Sequence, residues 1–402
     1  MSTTIDNKKT KIACCTIFMS SALINNFVPL LFSTFQNEYG ISFEHISVII
    51  SCNFVAQIAV SLIAPMIIDV LGYRLATVYA HITVCTGFVG LVFFPAFFPY
   101  PFVGLMAAVF LYAIGHGVLN TAVNPIINGC TQSSAGKMRS LFYSTYCWGT
   151  VIVVATSTLF FAVVGYAHWR VLSLMWVGLP LTGVIMFAFV PINAQAPKWQ
   201  RTDRINLFRE KTFIVMFVMM VCAGASEHAI TQWASMFTEI GLNVSSITGN
   251  MAGPCLFAVM MGLARILYPC TKKIELTTFM FISVFVCIIS YMLMAFSPII
   301  ILSFAGFGLC GFAVGIFWPG TISLAASQFS NGSTFMYAVL TLAGHFGSVT
   351  GPVIVGIGTE AFGLFRLALF LAAVFPITFG IGMFYFLTMR KNDNTDSDYK
   401  II

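Results

Sequence analysis

Apolar residues run through this chain in long blocks, and short polar or turn-rich segments punctuate them at intervals that suit a membrane crossing. Between Arg74 and Lys137 lie 62 residues without Asp, Glu, Lys or Arg, and between Glu275 and Glu360 lie 84. A crossing helix needs about 20 apolar residues, so these two stretches alone predict roughly two and three crossings. Cutting the whole chain at its turn and charge signals predicts twelve helices: 12–36, 45–70, 75–95, 101–128, 140–165, 169–192, 211–238, 246–269, 274–296, 299–326, 334–359 and 364–389. The polar stretch 193–211 reads as a linker between a first six-helix half, residues 1–192, and a second, residues 212–402. Lys8, Lys9 and Lys11 precede an apolar run that reaches Phe35. That run is too long for a secretory signal, which predicts a first span that stays in place.

Composition narrows the class. Of the 402 residues, 59% are hydrophobic and only 8% are charged, whereas a soluble domain carries about 25% charged residues. A soluble multidomain enzyme is excluded, and the expected fold class is an all-α membrane protein with 12 transmembrane helices in two six-helix halves. Cys52, Cys85, Cys222, Cys287 and Cys310 sit in apolar stretches as small hydrophobes. No C-x-x-C pair occurs, so no metal or other cofactor is expected. With the N-terminus placed in the cytoplasm, 17 of the 19 Lys and Arg residues fall on the inner side, leaving Arg170 and Arg366 outside. That obeys the positive-inside rule and predicts a multi-pass plasma-membrane protein with both termini and the linker cytoplasmic. The net charge of +6 then reflects topology and not a nucleic-acid partner. The expected partners are the bilayer and a small-molecule substrate, with or without a proton, and the expected state is a monomer.

The two halves repeat. Glu38-Tyr-Gly40 resembles Glu239-Ile-Gly241 at an offset of 201, and Arg74 resembles Arg265 at 191. Pro125 matches Pro319 at 194, and Trp169-Arg170 matches Phe365-Arg366 at 196. Four matches in order at nearly one offset predict a parallel repeat, which places a cavity between the halves near the bilayer midplane.

The second span ends Pro65-Met-Ile-Ile-Asp69-Val-Leu-Gly72-Tyr-Arg74. Asp can cap free N–H groups, Gly permits a tight turn, and Arg can pair with the carboxylate. This run resembles the signature loop of the major facilitator superfamily, G-x-L-x-D-R-x-G-R-R. Asp69, Gly72 and Arg74 match it; Pro65, Val70 and Tyr73 depart. The counterpart in the second half keeps Gly262 and Arg265. The resemblance implies that Asp69, Gly72, Arg74 and Arg265 serve gating by latching the cytoplasmic side. An ordinary capped turn is the plainer reading of the same residues. The fourth span reads Gly115-His116-Gly117-Val-Leu-Asn120-Thr-Ala-Val-Asn124-Pro125, with His116, Asn120 and Asn124 along one helix face. An amide in hydrocarbon is costly unless bonded, so that stripe should face protein or a watery cavity. Together with Tyr143, Tyr146 and Trp148, the Phe317-Trp318-Pro319 run, and Gly344-His345-Phe-Gly347, it is similar to the fucose–glucose/galactose proton-symporter branch of that superfamily.

Where the branch's fucose permease places carboxylates, in its fourth and first helices, this chain has Asn120 and Asn25-Asn26-Phe-Val-Pro29. An amide binds a hydroxyl but carries no proton. The acid placed well inside a span is Glu227, in Ser226-Glu227-His228-Ala-Ile-Thr231-Gln232-Trp233. An intramembrane acid marks a transport pathway by default, so Glu227 with His228 is the candidate coupling pair, against a plainer reading as a helix-packing acid. Asn26, Asn53, Gln57, His116, Asn120, Asn124, Tyr143, Tyr146, Trp148, Glu227, Gln232, Trp233, Trp318 and His345 form the candidate substrate-binding set. His81, His116 and His345 also read simply as packed polar residues. The chain lacks H-E-x-x-H, G-x-S-x-G and any phosphate loop, which argues against an intramembrane enzyme and excludes ATP-driven transport. The predicted function is a secondary transporter of a small polar solute, a sugar first. The alternatives are an exporter of amphipathic compounds and an uncoupled facilitator.

Overall fold

Inside hydrocarbon no water is available to a backbone N–H or C=O, so each crossing closes its bonds internally as a helix. The computed structural model describes residues 2–130, 135–192, 208–270, 274–329 and 334–399, and among them the chain is helical with no strand. Eleven continuous helices among the described residues are long and apolar enough to cross a membrane. One of them, Phe43–Phe97, has 55 residues, about 80 Å at 1.5 Å per residue. A hydrocarbon core is about 30 Å thick. Gly72 breaks this helix with φ 73° and ψ 160°, a backbone that side-chain-bearing residues avoid. The two arms are the second and third spans, and the count becomes twelve.

The first span is Lys8–Tyr39; the fourth to sixth are Pro101–Cys130, Ala135–Val164 and Tyr166–Phe189. The seventh to ninth begin with Lys211–Thr231, Ser246–Tyr268 and Leu276–Phe296. Ile300–Gln328, Thr334–Phe362 and Phe365–Met389 complete the set. Spans one to six pack on one another, as do seven to twelve. The joint between the groups pairs the second span with the eleventh and the fifth with the eighth. The most apolar stretches of the first, fourth, seventh and tenth spans are 83%, 61%, 72% and 61% buried, against 28% for the sixth. Those four are therefore the inner helices. Outward-facing Leu159, Val163, Phe189, Ile301 and Phe384 are exposed, as lipid-facing side chains should be.

Several spans are less regular than their sequence predicts. Pro29 has no N–H, so the turn Val28–Leu31 tightens and the Asn25 carbonyl loses its helical partner. Pro319 frees the Gly315 carbonyl in the tenth span by the same rule. The seventh helix ends at Thr231, passes through a tightened turn in which the Trp233 N–H donates to the Ile230 carbonyl at 3.2 Å, and closes with a widened turn, Phe237–Gly241. The sequence had predicted one helix to 238.

The chain's first span enters from one face, here the terminal face, and the opposite face is the far face. At the terminal face Thr10 donates to the Pro191 carbonyl at 2.8 Å. Arg74 donates to the carbonyls of Ala188 and, at 2.9 Å, Val190, so it caps the sixth span. Asp69 beside it is exposed. At the far face the two cations set apart by the charge count are both held. Arg170 pairs with Glu38 and donates to the Tyr39 hydroxyl at 2.9 Å, and Arg366 donates to the Ser297 carbonyl. Most of the linker 193–211 lies outside the described residues.

Candidate functional site

Close packing of small residues brings the inner helices against their neighbours. A Cβ on Gly117 would stand 2.8 Å from Val60 Cβ, which sets the second span hard against the fourth. Gly347 and Gly224 do the same for the seventh and eleventh spans. Between these helices, at mid-depth, lies a cavity of about 120 Å³ whose walls come from both groups of six.

The first wall is an amide network. Asn25 Oδ1 accepts from Asn53 Nδ2 at 3.3 Å and from Gln57 Nε2 at 3.2 Å, and Gln57 Nε2 also donates to Asn53 Oδ1 at 2.8 Å. The Asn25 carbonyl left free by Pro29 accepts from Gln232 Nε2 at 3.0 Å, across the joint between the two groups. Asn26 faces the other way, donating to the Ala22 carbonyl at 2.9 Å, Thr150 Oγ1 at 3.2 Å and the Tyr146 hydroxyl at 3.5 Å.

The second wall carries the charges. Glu227 and Arg265 both line the cavity, and among the described residues no ion pair joins them. Arg265 Nε donates to the Gly315 carbonyl, freed by Pro319, at 3.2 Å. Its Nη1 crosses the joint to the Tyr143 carbonyl and to Cys147 Sγ, each at 3.2 Å. His228 Nδ1 lies 3.1 Å from both the Gly224 carbonyl and Ser348 Oγ, and its ring meets Phe54 edge-on at 4.9 Å. His345 sits against Trp318, with ring centroids 5.9 Å apart.

Of the predicted substrate set, Gln57, His116, Asn120, Tyr143, Tyr146, Glu227, Trp318 and His345 line this cavity, with His228 and Arg265. Asn53 and Gln232 stand one layer behind it as hydrogen-bond partners of Asn25. The side chain of Asn124 lies outside the described residues. Trp148 and Trp233 are elsewhere. Trp148 is partly exposed beside Gly262. Trp233 is fully buried toward the far face, among Phe32, Phe43 and Phe365 with centroids 5.6–6.2 Å away, and donates to the Pro352 carbonyl at 2.9 Å. That aromatic cluster draws residues from both groups and lies on the far-face side of the cavity. His81 packs on Phe187 in the space left by Gly183, apart from the cavity. Arg265, expected to serve gating, also lines the cavity.

Sequence reasoning missed Ser21, Asn25 and Ser348 as cavity residues. Asn25 had a signal: its carbonyl lies four residues before Pro29, and its neighbour Asn26 drew the attention instead.

Twelve crossing helices in two groups of six, with a polar cavity between the groups, have the architecture of a membrane transporter of small solutes. The sequence matches the Major Facilitator Superfamily over residues 13–309, and the chain belongs to that family. It is 22% identical to the membrane protein MosC of Rhizobium meliloti over 284 residues, which is 70% of this chain and 68% of that one. Its fold is similar to that of the nucleoside transporter NupG, at a TM-score of 0.75 and 13% identity over 94% of this chain and 99% of that one. It is also similar to the E. coli fucose:proton symporter FucP, at 0.67 and 15% identity, covering 94% and 98% of the two chains.

Proposed function

We propose that the chain carries an uncharged, hydroxyl-bearing solute, a sugar first, across the cell membrane by alternating access of the mid-depth cavity. The observation that carries this reading is the wall chemistry. Amides, phenols, imidazoles and one indole converge from both groups of helices, and the one acid and one cation offset each other. Residues 1–192 and 212–402 act as the two rocking bodies, with the terminal face toward the cytoplasm in keeping with its Lys and Arg content. Glu227 is the group that can load and release a proton, because amides stand where the branch's fucose permease has its carboxylates.

Whole cells expressing the protein should accumulate at least one of a panel of labelled monosaccharides and nucleosides, and an uncoupler should collapse that accumulation. Uptake unchanged by the uncoupler would leave a facilitator. Expulsion of an amphipathic dye with no uptake of any labelled solute would replace this reading with that of an exporter.

A further inference from the structure

Buried polar atoms in folded proteins nearly always have partners. In this cavity three lining residues break that rule. Gln57 Oε1, both ring nitrogens of His116 and Nδ1 of His345 are buried without a hydrogen-bond partner. They come from three different spans, the second, fourth and eleventh, and all three residues line the same cavity. His116 is 2% exposed and Gln57 1% exposed. The first is aimed at nothing else. The second spends its Nε2 on Asn25 and Asn53 and keeps its oxygen free.

The balance of donors and acceptors says what fits. Gln57 Oε1 only accepts, and a neutral imidazole offers one N–H and one lone pair. A carboxylate accepts only and leaves Gln57 unpaired; an ammonium donates only and leaves an imidazole N–H unpaired. A hydroxyl does both from one atom. Charge points the same way. The lining carries one acid and one cation, Glu227 and Arg265, so with Glu227 ionised its formal charge is zero and a charged ligand would bring a buried charge without a counter-charge. Trp318 supplies an apolar face beside His345 and is held there closely, since a Cβ on Gly344 would stand 2.2 Å from its ring.

We propose that Gln57, His116 and His345 form a subsite, shared by both groups of helices, for neighbouring hydroxyls on the ring of an uncharged solute. This rests on the transport reading above and specifies its ligand.

The test uses the purified full chain in detergent and needs no knowledge of the natural substrate. Melting is followed with D-galactose, myo-inositol and uridine as neutral probes, and with galacturonate and galactosamine as charged ones. At least one neutral probe should raise the melting temperature, and the two charged probes should not. His116→Leu and His345→Leu each remove unpaired polar atoms. They should therefore melt no lower than the parent without ligand, yet weaken the response to the neutral probe by about tenfold or more in apparent affinity. Gly178→Ala, at a helical position away from the cavity where a Cβ meets nothing within 4 Å, should keep the response. A larger shift with a charged probe, a full response in His116→Leu, or no shift with any neutral probe would overturn the subsite. A protein that binds a neutral probe in this way but gives no flux of that probe in proteoliposomes would instead overturn the transport reading and leave the subsite standing.

Discussion

Gly347→Ala should destabilise the protein through a single methyl group. A Cβ at this position would stand 1.9 Å from the Val221 carbonyl oxygen and 2.6 Å from the Ala225 nitrogen. Both are backbone atoms of the seventh span, so no side chain can swing aside. Reaching even 3.0 Å from that oxygen requires the two helices to part by about 1.1 Å. Overpacking of this kind costs about 1–3 kcal/mol. The same displacement would stretch the 3.1 Å contact between Ser348 Oγ and His228 Nδ1 beyond hydrogen-bond range. Gly178 is the matched control, since a Cβ there meets nothing within 4 Å and the residue is helical. Gly178→Ala should be neutral or gain up to about 1 kcal/mol. Fluorescence-detected size exclusion after graded heating in detergent ranks the two variants against the parent. Gly347→Ala should lose its monodisperse peak at a lower temperature, while Gly178→Ala should not. If Gly347→Ala survives as well as the parent, or Gly178→Ala falls as far, the close crossing of the seventh and eleventh spans is not as drawn.

Three further outcomes can be checked. Glu227→Gln keeps shape and hydrogen bonding but cannot titrate, so it should retain substrate exchange and lose uphill accumulation; parental accumulation would remove Glu227 from the coupling step. Trp233→Ala empties the centre of the far-face aromatic cluster, a loss of about 3–5 kcal/mol in packing. A cysteine placed at buried Ser47 should then react faster with a membrane-impermeant maleimide in cells, and an unchanged rate would mean that the cluster does not bar access from the far face. Periplasmically active reporters fused after Lys211 should be silent and those fused after Asn243 active; the opposite pattern would reverse the membrane orientation.

The crossings were legible in the sequence because apolar length is a property of one segment at a time. The third span was separable from the second because Gly72 and the flanking charges mark a turn that the backbone does make. The irregular ending of the seventh span was not, and neither was the packing of Trp233 against rings from three other spans, which no local pattern reveals. The polar stripe of the fourth span predicted a face turned to protein or to a watery cavity, and His116 and Asn120 line the cavity. Residue type alone could not separate Asn25 from Asn26, because adjacent positions on a helix point about 100° apart and only packing decides which one looks inward. For the same reason Trp148 and Trp318, both beside glycine or proline, had equal claims in sequence and different places in the fold.

The bond from Gln232 to the Asn25 carbonyl has a consequence for timing. An ordinary helical carbonyl already belongs to its own helix, so a contact that recruits it competes with a turn of backbone. Pro29 removes that competition. Gln232 can release Asn25 without a turn unwinding, by rotation of one side chain. Side-chain rotation takes picoseconds to nanoseconds when unhindered, whereas local unfolding takes microseconds to seconds. Under the alternating access proposed above, the proline would keep the parting of the two groups at this contact off the slow clock of backbone rearrangement.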